Sequence, residues 1–143
     1  PMDRELFLAF VIVVLAVVYG RGEDTTPEAI TFTTYESQLI EKTNAERVAR
    51  GLRPLVPDVR LQNDARTWCM AMAQRHSLQH SALTYARGEN IAWNQSTPDE
   101  VIRCWMTSPG HRANMLGSGF TSIGVAAYVS PRDGSVYWIQ QFR

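Results

Sequence analysis

The sequence predicts one α+β domain, with helices in its first part and an antiparallel pair of strands at its end. Three observations support this prediction: helix-capping patterns at Thr33 and Thr97, apolar residues at helical spacing, and alternating apolar residues after position 122. The 143 residues, 45% of them hydrophobic, are enough for one core of modest size. We therefore expect a single globular unit.

An apolar stretch of fourteen residues, 6–19, precedes the predicted domain. A membrane-spanning helix needs roughly 17 to 25 such residues, whereas the apolar part of a secretory signal has about 7 to 15. We expect residues 1–20 to be a signal peptide, with an uncleaved membrane anchor through 6–19 as the alternative. In both cases the domain is extracytoplasmic, either secreted or anchored to the outer face of the membrane. Residues 21–33 have no apolar period and are predicted to be a linker, so the domain occupies 34–143.

Capping signals and apolar spacing predict the first two helices. Thr33 followed by Glu36 is a capping box, and Gly51 supplies a C-terminal stop. Between them, apolar residues recur at roughly helical spacing: Tyr35, Leu39, Ala45, Val48 and Ala49. Residues 52–57 are predicted to be a proline-broken connection. A second helix is expected at about 58–76, where positions repeat at steps of three, four and seven: Leu61, Ala65, Trp68, Cys69, Met72 and His76.

A third helix and a hairpin complete the predicted domain. Thr97 is a typical N-cap, Pro98 suits the first turn and Glu100 suits position N3, while Ser108-Pro109-Gly110 is predicted to end this helix. A short polar turn is expected next. Two strands then show alternating residues: Ile123, Val125, Ala127 and Val129, followed by Val136, Trp138, Gln140 and Phe142. The turn at 131–134 joins them into an antiparallel hairpin.

Two histidines and two glutamates lie between the second helix and the hairpin: His80, Glu89, Glu100 and His111. Imidazole nitrogens and carboxylate oxygens both bind divalent cations such as zinc. Two other interpretations stay open. Glu100 also fits a capping role at the start of the third helix, and the two histidines also fit a polar core in which they only form hydrogen bonds. His76, on the apolar side of the second helix, is expected to be structural.

Charge and reactive residues exclude some functions. The net charge is zero, and the thirteen arginines and one lysine are scattered, so the basic stripe of a nucleic-acid-binding protein is missing. Neither Ser81 nor Ser108 has a recognisable third group that would orient a neighbouring histidine, so no activated nucleophile is evident. Cys69 and Cys104 are both predicted to be buried free thiols, with a disulfide as the alternative in an exported protein.

Seven sequence motifs in the same order resemble the CAP superfamily, which comprises cysteine-rich secretory proteins, antigen 5 and pathogenesis-related 1 proteins. The resemblance is to the bacterial form and covers residue 34 to the end. The motifs are Asn44-x-x-Arg47, Gly51-Leu52-x-Pro54-Leu55, Asp58-x-x-Leu61-x-x-x-Ala65, His80-Ser81, Gly88-Glu89-Asn90-Ile91-Ala92, Trp105-x-x-Ser108-Pro109-Gly110-His111-Arg112-x-Asn114 and Tyr137-Trp138-x-Gln140-x-Phe142.

The resemblance implies a three-layer α-β-α sandwich with a small antiparallel sheet and a large open cleft. In that cleft His80, Glu89, Glu100 and His111 would bind a divalent cation, zinc or magnesium. The cleft would also be lined by three further residues: Asn90, Trp93 and Ser108. His111 lies in a Ser-Pro-Gly-His-Arg segment rather than the His-Phe-Thr-Gln segment of eukaryotic members, so its assignment depends on the bacterial form.

Three functions are compatible with these residues. The first is an extracytoplasmic binding module for a lipid, sterol or cell-wall ligand, and this function is preferred over an enzyme because catalytic residues are not identified. The second is a cation-dependent hydrolase, such as a peptidase, in which Glu89 or Glu100 activates a metal-bound water. Metallopeptidases commonly place two histidines one helical turn apart, a spacing that this sequence lacks. The third is a structural polar network, with the function on another surface.

Overall fold

Helices cover both faces of a four-stranded sheet, and this confirms the predicted three-layer α-β-α sandwich. The structure, a computed structural model, describes residues 30–143. In chain order the elements are α1 (Thr34–Val48), β1 (Val56–Pro57), α2 (Val59–Arg75), β2 (Gly88–Trp93), α3 (Pro98–Thr107), α4 (Pro109–Met115), β3 (Ser122–Val129) and β4 (Val136–Phe142).

The sheet has the strand order β1-β3-β4-β2. The predicted hairpin is confirmed as the antiparallel pair β3 and β4, and β2 pairs antiparallel with the other side of β4. Residues Val56–Pro57 were predicted as a connection but form β1, which pairs parallel with β3. A strand of two residues carries no detectable alternation, and only its partner makes it a strand.

Each face of the sheet has its own apolar core. On one face α2 packs on β3 and β4, around Cys69, Met72 and Ile139. On the other face α1, α3 and α4 pack around Trp105, Trp138 and other buried residues. Successive residues of a strand point to opposite faces, so β4 contributes side chains to both cores, and nearly the whole strand is buried.

The helix α2 lies unusually close to β3. A Cβ atom at Gly124 would collide with the backbone of Leu61 and Gln62, so this position requires glycine. The Gln62 amide replaces the missing continuation of β1, because its Nε2 donates to the Val125 carbonyl at 2.6 Å and its Oε1 accepts from the Val125 N–H at 3.0 Å. This contact gives hydrogen-bond partners to the backbone N–H and carbonyl of Val125, which lie beyond the end of β1.

The predicted N-caps of α1 and α3 are confirmed. Thr33 and Glu36 form the reciprocal capping box of α1, and Thr97 caps α3. The expected apolar side of α1 is wrong, however, because Val48 is exposed and the buried side is mostly polar: Glu36, Leu39, Thr43 and Arg47. Glu36 is buried because it pairs with Arg66 of α2, 2.7 Å from Oε2 to Nη2.

Two further expectations are corrected. The segment predicted as a polar turn after α3 forms α4, since Pro109 begins a helix as readily as it ends one. Cys69 is buried as expected, but Cys104 is exposed on α3, and both are free thiols. Burial raises the pKa of the Cys69 thiol to about 12, so this side chain behaves as an apolar core residue.

The predicted signal peptide or anchor, residues 1–20, lies outside the described residues, as does most of the predicted linker 21–33. Within 30–143, every helix is too short or too polar to cross a membrane.

Candidate functional site

Glu89 is a buried carboxylate in β2 that accepts four hydrogen bonds. Its Oε1 accepts from His80 Nδ1 at 2.8 Å and from the Ser81 N–H at 2.9 Å. Its Oε2 accepts from Ser81 Oγ at 2.5 Å and from Gln141 Nε2 at 2.9 Å. Glu89 therefore ties the loop after α2 to the sheet, and hydrogen bonds occupy both of its oxygens.

His80 presents the opposite edge of its ring to solvent. Its side chain is 59% exposed, while the Glu89 side chain that holds it is only 1% exposed. A carboxylate can only accept, so Nδ1 carries the proton and donates to Glu89. Within 30–143 His80 Nε2 makes no hydrogen bond, and the ring is held from its Nδ1 side.

A second polar network lies on the other face of the same strands. Asn90 and Gln140 are paired across β2 and β4, and Asn90 Nδ2 donates to both the Gln140 side chain at 3.2 Å and the His111 carbonyl at 3.0 Å. Asn114 donates to Asn90 Oδ1 at 3.0 Å and to the Glu89 carbonyl at 3.1 Å. These contacts fix α4, which carries His111, against the free edge of β2.

Gly88 allows this close approach. A Cβ atom at position 88 would lie 2.9 Å from Phe120 Cζ and 3.1 Å from Asn114 Oδ1. The glycine of the Gly-Glu-Asn segment therefore makes room for Asn114 and the loop after α4.

His111 is held at its Nδ1 by Ser108 Oγ, at 2.8 Å. Burial, and then the charge of His80, lower the pKa of His111 below its ordinary value of 6.5. The two histidines are therefore close enough to interact electrostatically, although they lie on different elements. Both rings are held through Nδ1, and within the described part of the chain neither Nε2 is hydrogen bonded. The neutral form of His111 dominates at pH 7, which leaves a lone pair on the ring.

Two other predicted site residues, Glu100 and Trp93, make contacts outside the Glu89 network. Glu100 accepts a hydrogen bond from the Ser96 N–H at 2.7 Å and donates its own N–H to Thr97 Oγ1, so it contributes to the start of α3. Trp93 lies on the same face of β2 as Glu89, four residues further along, and contacts His76 rather than His80. Among residues 30–143, no group of three or more His, Cys, Asp or Glu side chains is arranged to hold a metal ion. The four-residue cation site stays a prediction.

Sequence reasoning missed two members of the Glu89 network. The sequence gives Ser81 no role as a partner of Glu89, and it gives no role to Gln141. Gln141 lies directly opposite Glu89 in the β2–β4 register. It is buried, and its Oε1 has no hydrogen-bond partner within 30–143. The only available signal in the sequence was a polar residue, Gln141, among the apolar residues of the last strand. Its partner could not be predicted, because the pairing depends on the strand register.

Comparison with known proteins agrees with this fold. Residues 40–142 match the model of the family described as "CAP: Cysteine-rich secretory protein family". The protein YkwD of Bacillus subtilis is 40% identical over 133 residues, which cover 82% of this chain and 50% of YkwD. The chain thus spans about half the length of that relative.

Solved structures show the same architecture. An extracellular protein of Bacillus anthracis that contains an SCP domain superposes with a TM-score of 0.65 at 26% identity, covering 76% of this chain and 39% of that one. An outer surface protein of Borrelia burgdorferi superposes with a TM-score of 0.68 over 80% of this chain and 96% of that one, and at 15% identity it shows the fold alone. From the family match and the similarity to YkwD, this chain belongs to the cysteine-rich secretory protein (CAP) family.

Proposed function

We propose that this chain is an exported binding module whose ligand site is formed by His80 and His111. The observation that carries the proposal is the hydrogen bond between Glu89 and His80, because it fixes an exposed imidazole on a buried carboxylate. Ser108 Oγ holds the ring of His111 at its Nδ1 atom. A site whose side chains are held before binding loses less conformational entropy when a ligand binds.

The pair is suited to a divalent cation. Histidines that bind metals commonly donate their second ring N–H to a carboxylate or another acceptor, as His80 does to Glu89. Two imidazole nitrogens favour zinc over magnesium, which prefers oxygen ligands. In this proposal His80 and His111 are the protein ligands, and Glu89 orients His80 instead of binding the ion. Solvent would complete the coordination.

The contacts of the glutamates support binding over hydrolysis. A general base needs a carboxylate oxygen that can take a proton from water. Both oxygens of Glu89 already accept hydrogen bonds, and Glu100 is engaged by the Ser96 amide. A cation-dependent hydrolase is therefore the second candidate, and turnover of a peptide library by the zinc-loaded protein is the result that would establish it.

The surroundings of His80 favour an apolar ligand such as a lipid or sterol over a cell-wall ligand. Leu78 and Leu83 flank His80 on the loop between α2 and β2, and they are 46% and 40% exposed. Leu83 has a φ of 50°, a conformation that is rare outside glycine and that occurs most often where function requires it. The apolar segment 6–19 supports export, as does the similarity to an extracellular protein of Bacillus anthracis and to an outer surface protein of Borrelia burgdorferi.

Calorimetric titration of the chelator-treated protein with zinc tests the proposal. We expect a site in the micromolar range whose affinity falls at least tenfold in His80→Ala and in His111→Ala, and magnesium is expected to bind more weakly. Glu46→Ala, an exposed substitution in α1, is the control and should leave the affinity unchanged. Native protein that gives no heat, or variants that bind zinc as tightly as the native chain, would contradict the proposal.

The ligand class is tested separately, with vesicles that contain phospholipid alone or phospholipid and sterol. Leu83→Ser should weaken vesicle binding without changing zinc affinity. Equal vesicle binding by the native chain and the variant would show that this loop is not part of the ligand site.

A further inference from the structure

A second cluster of aromatic and polar side chains lies at the opposite end of β2 from Glu89. We call it the Trp93 cluster, and it consists of five residues: His76, Trp93, Asp133, Ser135 and Tyr137. They come from the end of α2, the end of β2, the β3–β4 turn and β4. This cluster is separate from the proposed His80–His111 site, and the inference does not depend on that proposal.

Hydrogen bonds connect the whole cluster. Trp93 Nε1 donates to Ser135 Oγ at 3.0 Å, and Ser135 Oγ donates to Asp133 Oδ1 at 2.7 Å. Asp133 Oδ2 lies 3.1 Å from His76 Nε2, and His76 Nδ1 lies 2.8 Å from the Tyr137 hydroxyl. The indole is therefore held in place by a connected chain of polar groups, even though it lies at the surface.

Three aromatic residues form a row across the neighbouring strands β2, β4 and β3. Tyr137 of β4 pairs with Trp93 of β2 on one side and with Tyr128 of β3 on the other. Tyr137 is buried, whereas Trp93 and Tyr128 are 43% and 36% exposed. The ring centroids of Trp93 and Tyr137 are 6.3 Å apart. The result is a row of rings whose outer members face solvent beside fixed hydroxyl, imidazole and carboxylate groups.

The backbone on both sides of the cluster is held in the left-handed conformation. His76 is the C-cap of α2 with a φ of 55°, a position where glycine is the usual residue. Asn94, directly after Trp93, has a φ of 78°. A histidine has a less stable backbone than glycine in this conformation, but it also provides a side chain that can form contacts. Here that side chain links Asp133 to Tyr137.

We propose that the Trp93 cluster binds a neutral oligosaccharide. The electron-rich face of the indole would contact the C–H groups of a sugar ring, and the remaining lone pairs of Asp133 Oδ2 and Ser135 Oγ would accept hydrogen bonds from its hydroxyls, while His76 holds the carboxylate in place. An anionic ligand is disfavoured by the Asp133 carboxylate, which is 42% exposed. A cationic ligand is disfavoured by Arg132, whose charge acts on Tyr137 at the same place.

A catalytic role for the Asp133–His76–Tyr137 chain is not supported. Tyr137 is 2% exposed, and burial and the Asp133 charge raise the pKa of its hydroxyl. The phenolate that a nucleophile would require is therefore disfavoured, and the chain of hydrogen bonds serves to position the ring and the carboxylate.

The test is titration of the protein with tetrasaccharides of glucose and of N-acetylglucosamine, followed by calorimetry and by NMR shifts of the Trp93 indole N–H. We expect saturable binding of at least one of them, at least tenfold weaker in Trp93→Ala and partly restored in Trp93→Phe. Circular dichroism checks that each variant is folded. Asp133→Asn, which keeps the shape of the side chain, should weaken binding by a smaller factor.

Two controls separate this inference from the proposed function. His80→Ala should bind the oligosaccharide like the native chain while losing zinc affinity, and Trp93→Ala should bind zinc like the native chain. The inference is overturned if neither tetrasaccharide binds, if Trp93→Ala binds as tightly as the native chain, or if tetramethylammonium binds at Trp93 in their place.

Discussion

Glu89 Oε1 and His80 Nδ1 are 2.8 Å apart, and this hydrogen bond joins a carboxylate in the core to an imidazole at the surface. The two residues are nine positions apart, on a strand and on the loop that precedes it. Ser81 and Gln141 hold the same carboxylate. Glu89 is therefore a positioning residue, and its burial gives the exposed ring a defined orientation.

Replacing Glu89 by glutamine should destabilise the domain. The amide adds two donors where His80, Ser81 and Gln141 already donate, so some buried donors lose their acceptor. We expect Glu89→Gln to lower the free energy of unfolding by about 2 to 4 kcal/mol in urea denaturation. Glu46→Gln is the control, since the Glu46–Arg50 pair is partly exposed on α1 and should contribute less than about 1 kcal/mol. Equal effects of the two substitutions would show that the Glu89 network is not important for stability.

The lowered pKa of His111 predicts a loss of stability in mild acid. Because the folded state binds this proton less readily than the unfolded state does, the contribution of His111 is complete above its ordinary value of 6.5. It is lost as the pH falls from that value through the lower pKa of the folded state. The difference in unfolding free energy between pH 7.5 and pH 5 should therefore shrink in His111→Gln.

An NMR titration checks the cause of that shift. His111 should titrate below its ordinary value, and His80→Gln should move its pKa upward because the neighbouring charge is removed. Since burial is the larger cause, the upward shift should be partial. A His111 pKa that does not respond to His80→Gln would mean that the two rings are too far apart to share a ligand.

Substitution of Glu100 distinguishes a role in the predicted four-residue cation site from a role in capping α3. Its carboxylate accepts the Ser96 N–H, and its negative charge lies in the first turn of α3. Glu100→Ala should cost about 0.5 to 1 kcal/mol of stability and leave zinc affinity unchanged. A tenfold loss of zinc affinity in this variant would restore Glu100 as a cation ligand.

Gly124 should tolerate no side chain. A Cβ atom there meets the backbone of α2 at Leu61 and Gln62, which cannot rotate away as a side chain can. Gly124→Ala should destabilise the domain by about 3 kcal/mol in urea denaturation. Gly110→Ala is the matched control, because a Cβ atom at this helical position has nothing within 4 Å and should be neutral or slightly stabilising.

Local signals predicted much of the fold. The caps at Thr33 and Thr97 depend on contacts three residues away, and the hairpin depends on alternation within each strand. The motifs also identified the family. Local signals failed for two short elements. The strand β1 has only two residues, too few to show alternation. The Pro109-Gly110 pair that begins α4 also resembles the end of a helix.

The family and most of the elements could be predicted from the amino-acid order, because motifs, helix caps and periodic burial are local features, and the three-layer arrangement followed from the family resemblance. The contacts between polar residues that are distant in sequence could be found only in the folded structure. Glu89 is opposite Gln141 because of the β2–β4 register, and His111 is held beside β2 because Asn90 and Asn114 fix α4 on the edge of that strand. These partners are up to 52 positions apart, and a shift of one residue in register would turn Glu89 to the other face. Local patterns carry no information about such pairing, since it depends on how whole elements pack.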